Sequence, residues 1–125
     1  MTTFKIRMGV PEMMEVWTDL SSRFENNALS KDEQQSFKKL VKVLAYLETN
    51  PRHNRLQTHE ITQLTKRYGI KVWQSYLENR TPAAGRVFWV YGPDKNEITI
   101  IAIEPHPEDK KMGAYDRIKL SALPL

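Results

Sequence analysis

Apolar and polar positions alternate at the start of the chain, where Phe4, Ile6, Met8 and Val10 are separated by charged residues and a glycine. A period of two is typical of a β-strand that buries one face and exposes the other. Pro11 follows at once, and proline suits the first turn of a helix because that turn does not use its N–H group. We therefore expect a first strand that leads directly into a helix.

Two stretches with helical spacing follow this strand. In the first, apolar residues recur every three or four positions, up to an Asn26-Asn27 pair that weakens the helix near its end. In the second, Ser30 and Glu33 have the spacing of a capping box, and Asn50-Pro51 ends the helix. The apolar positions of the two helices are Met13, Trp17, Leu20 and Phe24, then Phe37, Leu40, Val41, Leu44 and Leu47. The short break between them predicts a two-helix hairpin.

The middle of the chain is the least regular part. Residues 51–70 have no clean apolar period, so we interpret them as a loop with a short strand or turn near residues 56–64. Residues 72–77 are rich in strand-forming types and predict a strand. Its alternation places Trp73, Ser75 and Leu77 on one face and Val72, Gln74 and Tyr76 on the other.

A β-hairpin is the strongest pattern in the chain. Residues 85–107, GRVFWVYGPDKNEITIIAIEPHP, contain two apolar runs around a Gly-Pro-Asp turn. Both runs are apolar on both faces, which is typical of central strands covered on two sides. Arg86 begins the first run and His106 follows the second. Since antiparallel strands bring the start of one beside the end of the next, these two residues are expected at the same end of the sheet.

The resulting order, β-α-α-β-β-β, predicts an α+β fold. We expect the two-helix hairpin to pack on one face of a mostly antiparallel four-stranded sheet. A length of 125 residues suits one domain, spanning residues 1–125, with a single core. The charged and then mildly apolar tail, residues 108–125, predicts a short edge element or a packed tail.

Composition narrows the class of protein. Hydrophobic residues make up 40% and charged residues 27% of the chain, as in ordinary globular domains. There is no cysteine, which excludes disulfides and thiolate chemistry. No apolar run is long enough for a membrane span, and the N-terminal MTTFKIRMGV lacks the apolar core of a signal peptide. We therefore expect a cytoplasmic protein without a membrane partner.

Positive charge is concentrated in one segment. The net charge is +4, and residues 1–50 are neutral, so the surplus lies in residues 51–125. Within residues 51–71, Arg52, Arg55, Lys66, Arg67 and Lys71 face a single acid, Glu60. Such a cluster attracts phosphates or an acidic protein. The alternative is a solvated loop with scattered charges.

The candidate chemistry rests on single residues. The sequence has no metal-ligand spacing and no glycine-rich phosphate loop, so we predict neither a metal nor a cofactor. An arginine clamps phosphates, imidazoles and carboxylates move protons, and lysines and a tyrosine add charge and stacking. The residues with these properties are Arg86, His106, His59, Glu60, Lys110, Lys111 and Tyr115. Together they form a set suited to metal-free RNA cleavage.

Each of these residues also has a structural interpretation. Arg86 would then be a solvated charge at a strand end, and His106, followed by Pro107, would only end its strand. Tyr115 would pack on the sheet edge. His59 and Glu60 would cap a turn, and Lys110 and Lys111 would be a pair of surface charges. We expect Trp73, Phe88 and Trp89 to be core residues instead of a platform for stacking nucleotides.

The chain resembles the RelE/ParE superfamily of bacterial toxins from type II toxin–antitoxin pairs. The resemblance covers nearly the whole chain. It rests on the strand FKIRMGV, the helical pair, LQTHEI and above all YGIKVWQSYLENRTPAAGRVFWVYGPDKNEITIIAIEPHP. It implies a compact β-α-α-β-β-β toxin that a cognate antitoxin blocks. Many members cleave mRNA in the ribosomal A site without a metal, whereas some inhibit DNA gyrase.

The resemblance also implies roles for individual residues. Arg86 would hold the scissile phosphate, His106 would be the general acid or base, and His59 and Glu60 would occupy catalytic positions before the sheet. The RNA-binding residues would be Arg52, Arg55, Lys66, Arg67, Lys110, Lys111 and Tyr115. The expected function is thus a ribosome-dependent mRNA endoribonuclease that inhibits translation. The alternatives are a non-enzymatic gyrase inhibitor and an inactive orphan of the same fold.

Overall fold

The computed structural model describes residues 3–77, 85–105 and 118–124, which form an α+β fold. The elements, in chain order, are β1 Lys5–Met8, α1 Glu12–Glu25, α2 Lys31–Thr49, β2 His59–Glu60, α3 Thr62–Tyr68, β3 Trp73–Tyr76, β4 Gly85–Tyr91 and β5 Glu97–Pro105. The strands form one five-stranded sheet in the order β1-β5-β4-β3-β2. Strand β1 is parallel to β5, and the other pairings are antiparallel.

The hairpin of β4 and β5 is at the centre of this sheet and is covered on both faces. On one face, Val87, Trp89 and Ile100 join the apolar cluster formed with α1 and α2, which we call the helix-pair face. On the other, Phe88 and Ile101 pack with residues of α3, which we call the α3 face. The predicted central, doubly covered hairpin is confirmed, as is a mostly antiparallel sheet.

The predicted number and order of strands were wrong, because the short strand or turn expected near residues 56–64 is a fifth strand of the sheet and a helix follows it. Residues 51–70 contain a 3₁₀ helix at Asn54–Leu56, the two-residue strand β2 and the helix α3. These elements are too short to show an apolar period. Helix α3 ends at Gly69, whose φ of 97° is accessible to glycine at little cost. The sheet therefore gains a fifth strand, and its second face gains a helix.

The two long helices follow the predicted boundaries, with one change in the apolar stripe. Val43 is buried on α2, whereas Val41, predicted for this stripe, is 44% exposed. Val43 lies three positions from Leu40 and four from Leu47, which keeps it on the face toward the sheet, while Val41 is turned away by about 100° from Leu40. No helix among the described residues is long and apolar enough to cross a membrane.

A chain of buried and partly buried hydrogen bonds attaches the irregular segment, residues 51–70, to the sheet. The indole Nε1 of Trp89 donates to the hydroxyl of Ser75 at 2.9 Å. The hydroxyls of Ser75 and Thr58 are 2.7 Å apart, and that of Thr58 donates to the carbonyl of Pro51. Ser75 therefore donates to Thr58, and each hydroxyl is satisfied. This chain holds the backbone just before β2 against β3.

The C-terminal segment, residues 118–124, crosses the α3 face and joins distant elements. The Ser121 N–H donates to the carbonyl of Ile101, and Ala122 forms a β-bridge with Val10. The Tyr68 hydroxyl donates to the carbonyl of Ser121 at 2.7 Å. Gly9 allows the close approach, because a Cβ there would lie 2.6 Å from that of Ser121. The segment thus fixes α3 and the start of α1 to the same strand.

The capping box of α2 gives a direct test of the helix layer. The Ser30 hydroxyl accepts from the Glu33 N–H, and the Glu33 carboxylate accepts from the Ser30 N–H. Ser30→Ala should lower the free energy of unfolding by about 1 kcal/mol, because a helix N–H loses its partner. Ser36→Ala, an exposed position within the same helix, should leave the stability unchanged or raise it slightly. Chemical denaturation of both variants measures this, and equal effects would contradict it.

Candidate functional site

A group of polar side chains lies on the α3 face of the sheet, at the end where β3 finishes and β4 begins. We call it the polar row, and its members are His59, Gln74, Tyr76, Arg86 and Glu104. Arg86 is paired across the sheet with Tyr76 on one side and Glu104 on the other. His59 is paired with Gln74, which lies two positions before Tyr76 and therefore on the same face. Four neighbouring strands therefore contribute polar side chains to one face of the sheet.

Arg86 is the buried charge of this row. Its side chain is only 2% exposed, which excludes the interpretation as a solvated charge at a strand end. Its Nη1 donates to Oε1 of Gln74 at 2.6 Å, and its guanidinium lies 5.1 Å from the centre of the Phe88 ring. An arginine stays protonated in such surroundings. The end of the sheet therefore carries a permanent positive charge at a defined position.

His59 supplies an imidazole at the exposed side of the polar row. Its Nδ1 lies 2.9 Å from the carbonyl oxygen of Gln57, and its Nε2 lies 3.4 Å from Nε2 of Gln74. The ring of Tyr76 is next to it, with 6.2 Å between ring centres. His59 is thus exposed to solvent and connected to Arg86 through one amide.

Glu104 supplies a carboxyl group beside Arg86. Burial raises the pKa of this carboxyl above its ordinary value, and the nearby charge of Arg86 offsets part of that effect. Glu104 reaches this face because β5 contains a bulge: Phe88 pairs with Ala102, but the next residue, Trp89, pairs with Ile100. Strict alternation from Ile100 would have put Glu104 on the helix-pair face.

The polar row combines three kinds of group that phosphate chemistry uses. It has a permanent cation, an imidazole with a proton-accepting nitrogen, and a carboxyl group whose pKa is raised toward neutrality. Groups of this kind transfer protons and stabilise developing negative charge. No three His, Cys, Asp or Glu side chains in the described parts of the chain are grouped so as to hold a metal ion.

Glu60 and Arg52 are separated from the polar row by the sheet. Glu60 follows His59 in β2 and pairs with Trp73, so it belongs to the helix-pair face. The guanidinium of Arg52 lies over the Trp73 ring, 4.3 Å from its centre, on that same face. Trp73, Phe88 and Trp89 are buried, which confirms the prediction that they are core residues.

The other basic residues of the 51–71 segment are distributed along it. Arg55 is exposed in the 3₁₀ helix, and its backbone N–H donates to Nδ1 of His53. Lys66 and Arg67 lie in the last turn of α3, where the Arg67 guanidinium donates to the carbonyl of Ile118. Two of the predicted RNA-binding cations are therefore on the helix that covers the α3 face.

Four predicted site residues lie outside the described parts of the chain: His106, Lys110, Lys111 and Tyr115. Pro105, the residue before His106, pairs with Gly85, the residue before Arg86. As predicted, the start of β4 therefore lies beside the end of β5, as far as the described residues extend. The roles of these four residues stay predictions.

Sequence reasoning did not select Gln74, Tyr76 or Glu104 as site residues. The alternation of residues 72–77 did put Gln74 and Tyr76 on one face, but nothing along the chain pairs them with Arg86. The signal for Glu104 was the doublet Ile100-Ile101, which breaks the alternation of β5. A break of this kind is the mark of a bulge, and it moves every later residue to the other face.

Comparisons with known proteins leave the family open. No protein-family model, no curated protein and no solved structure matches the chain. The RelE/ParE resemblance therefore stays a prediction from the sequence.

The raised pKa of Glu104 has a measurable consequence for stability. A carboxyl group with a raised pKa binds its proton more tightly in the folded state than in the unfolded state. Its contribution therefore favours folding below the unfolded pKa and is lost as pH rises through the folded pKa. Glu104→Gln removes this contribution.

We therefore expect the stability of the unaltered protein, relative to Glu104→Gln, to fall as pH rises from about 4 toward 7. Urea unfolding of both proteins across this range measures the difference. A difference that grows with pH would instead mean that attraction to Arg86 dominates burial.

Proposed function

We propose that this protein is an endoribonuclease that cleaves single-stranded RNA at the polar row, with His59, Arg86 and Glu104 as its chemical groups. The observation that carries the proposal is their shared position on one face, at one end of the sheet. A proton acceptor, a permanent cation and a proton donor are the groups that this cleavage requires.

RNA supplies its own nucleophile, so the proposed reaction needs no metal. The 2′-hydroxyl oxygen attacks the adjacent phosphorus, and the bond from phosphorus to the 5′ oxygen breaks. The products are a 2′,3′-cyclic phosphate and a 5′-hydroxyl group. His59 takes the proton of the 2′-hydroxyl, and Glu104 gives a proton to the leaving 5′ oxygen. A carboxyl group with a raised pKa suits the second role, because it holds its proton to a higher pH than an ordinary carboxyl group does.

The spacing of the strands is compatible with these two roles. His59 and Glu104 are on β2 and β5, which are separated by β3 and β4. Neighbouring strands are about 4.8 Å apart, which separates β2 from β5 by roughly 14 Å. The register also offsets Glu104 from His59 by two residues along the strands, so the two backbones are roughly 16 Å apart. Side chains that lean inward from both strands leave room for one phosphodiester with a hydrogen bond at each end.

Arg86 would stabilise the negative charge that develops on the phosphorane. Its charge is permanent and its position is fixed by Gln74 and Phe88. A fixed charge in a poorly solvated site costs no reorganisation during the reaction. Arg86 would therefore stabilise the phosphorane through the electrostatic field of its buried charge, instead of contacting the phosphate as an exposed clamp.

We also propose that the protein acts as a toxin that inhibits translation. The resemblance to the RelE/ParE superfamily supports action on mRNA at the ribosome in the cytoplasm, and control by a cognate antitoxin. The exposed cations Arg55 and Lys66 are candidates for contacts to the RNA backbone. These contacts would position the substrate without reading its sequence.

Substitution of His59 tests the proposal with little risk to folding, because this side chain is exposed. We expect His59→Ala to lower the rate of mRNA cleavage in a translating extract by about 10²-fold or more, since the general base is lost. His53→Ala is the matched control, because His53 contacts Tyr46, which packs on the helix-pair face. Equal cleavage by the two folded variants would contradict the proposal.

A second candidate is a non-enzymatic inhibitor of DNA gyrase on the same fold. The burial of Arg86 favours it, because a side chain that is 2% exposed has little surface for direct contact with a phosphate. Absence of RNA cleavage together with loss of DNA supercoiling by gyrase would establish this candidate over the ribonuclease. Cleavage that depends on His59 would exclude it.

A further inference from the structure

Gln74 connects the two functional side chains that flank it. It lies in β3 with no exposed surface, two positions from Tyr76, the cross-strand partner of Arg86. Its Oε1 accepts from Nη1 of Arg86 at 2.6 Å, and its Nε2 lies 3.4 Å from Nε2 of His59. One amide therefore contacts the permanent cation on one side and the imidazole on the other.

The chemistry of Arg86 determines the orientation of this amide. A guanidinium group only donates hydrogen bonds, so the oxygen of Gln74 must be the atom that faces it. The NH₂ group of Gln74 then faces His59. A reversed amide would place two donors against each other at 2.6 Å and leave the buried oxygen next to the imidazole.

The two contacts of His59 then specify one tautomer. The carbonyl oxygen of Gln57 only accepts, so Nδ1 of His59 carries the proton that it receives at 2.9 Å. Gln57 has a φ of 47°, at the end of the 3₁₀ helix, which aims this carbonyl. Because the NH₂ of Gln74 donates to Nε2, that nitrogen presents a lone pair.

We propose that Gln74 is a positioning residue that, oriented by Arg86, holds His59 in the Nδ1–H tautomer and so makes Nε2 the general base for RNA cleavage. The catalytic part of this inference rests on the proposed function, while the tautomer does not. In the opposite tautomer, the N–H of Nε2 would point at the NH₂ of Gln74. Arg86, through Gln74, thus acts together with the Gln57 carbonyl to leave Nε2 as the nitrogen that takes up the proton, although Arg86 and His59 share no hydrogen bond in this arrangement.

The test is a variant in which residue 74 accepts a hydrogen bond from Nε2 of His59, where Gln74 now donates one. In Gln74→Glu, one carboxylate oxygen still accepts from Arg86, but the other now accepts a hydrogen bond from His59. We expect Nε2 of His59 to carry a proton in this variant, whereas it is bare in the unaltered protein. Nitrogen-15 NMR of the imidazole distinguishes the two states. Gln63→Glu, an exposed position on α3, is the matched control and should leave the His59 signals unchanged.

The spectrum of the unaltered protein keeps the inference falsifiable even where Gln74→Glu does not fold. A protonated Nε2 and a bare Nδ1 in that spectrum would overturn it, as would a folded Gln74→Glu protein with an unchanged His59 tautomer. The expected loss of cleavage in Gln74→Glu is about 10²-fold. Full cleavage by a Gln74→Glu protein whose tautomer has changed would overturn the catalytic part of the inference.

Failure of the proposed function would give a different set of results from failure of the inference about Gln74. The unaltered protein would then cleave no RNA, while the His59 tautomer would still change with Gln74→Glu.

Discussion

The pairing of β4 with β5, with one extra residue at Ile101, is the constraint on which the rest of the structure depends. The bulge lets Ile100 pack on the helix-pair face while Ile101 and Ala102 pack on the α3 face. Strand β5 therefore contributes side chains to both apolar clusters. The bulge also turns Glu104 to the face of Arg86, and without it the two groups would be separated by the sheet.

The candidate site combines two buried side chains that are held in place with one side chain that solvent can reach. Arg86 and Gln74 are buried on the inner strands β4 and β3, where packing holds their positions. His59 is on the two-residue strand β2, which is exposed but anchored nearby by the hydrogen bond between Thr58 and Ser75. This division suits electrostatic catalysis, because the permanent charge does not move and the proton-transfer group reaches the substrate.

Long apolar patterns and caps could be predicted from the sequence, and cross-strand relations could not. The hairpin, the two long helices and the capping box of Ser30 each depend on neighbours within a few positions. Strand β2 lies within residues 56–64, where a short strand or turn was expected, whereas α3 was missed because it is too short to show a period. The role of Gln74 could not be predicted either, because it depends on contacts with Arg86 and His59. These residues are neighbours of Gln74 across strands and not along the chain.

The central claim is that the polar row catalyses attack by the 2′-hydroxyl of RNA on its own phosphodiester. The most direct test uses a short RNA that the purified protein cleaves, alone or on the ribosome, and a copy with a 2′-deoxy nucleotide at the scissile position. We expect 2′,3′-cyclic phosphate and 5′-hydroxyl ends from the RNA, and no cleavage of the deoxy copy. Cleavage of the deoxy copy, or products with 5′-phosphate ends, would contradict the central claim.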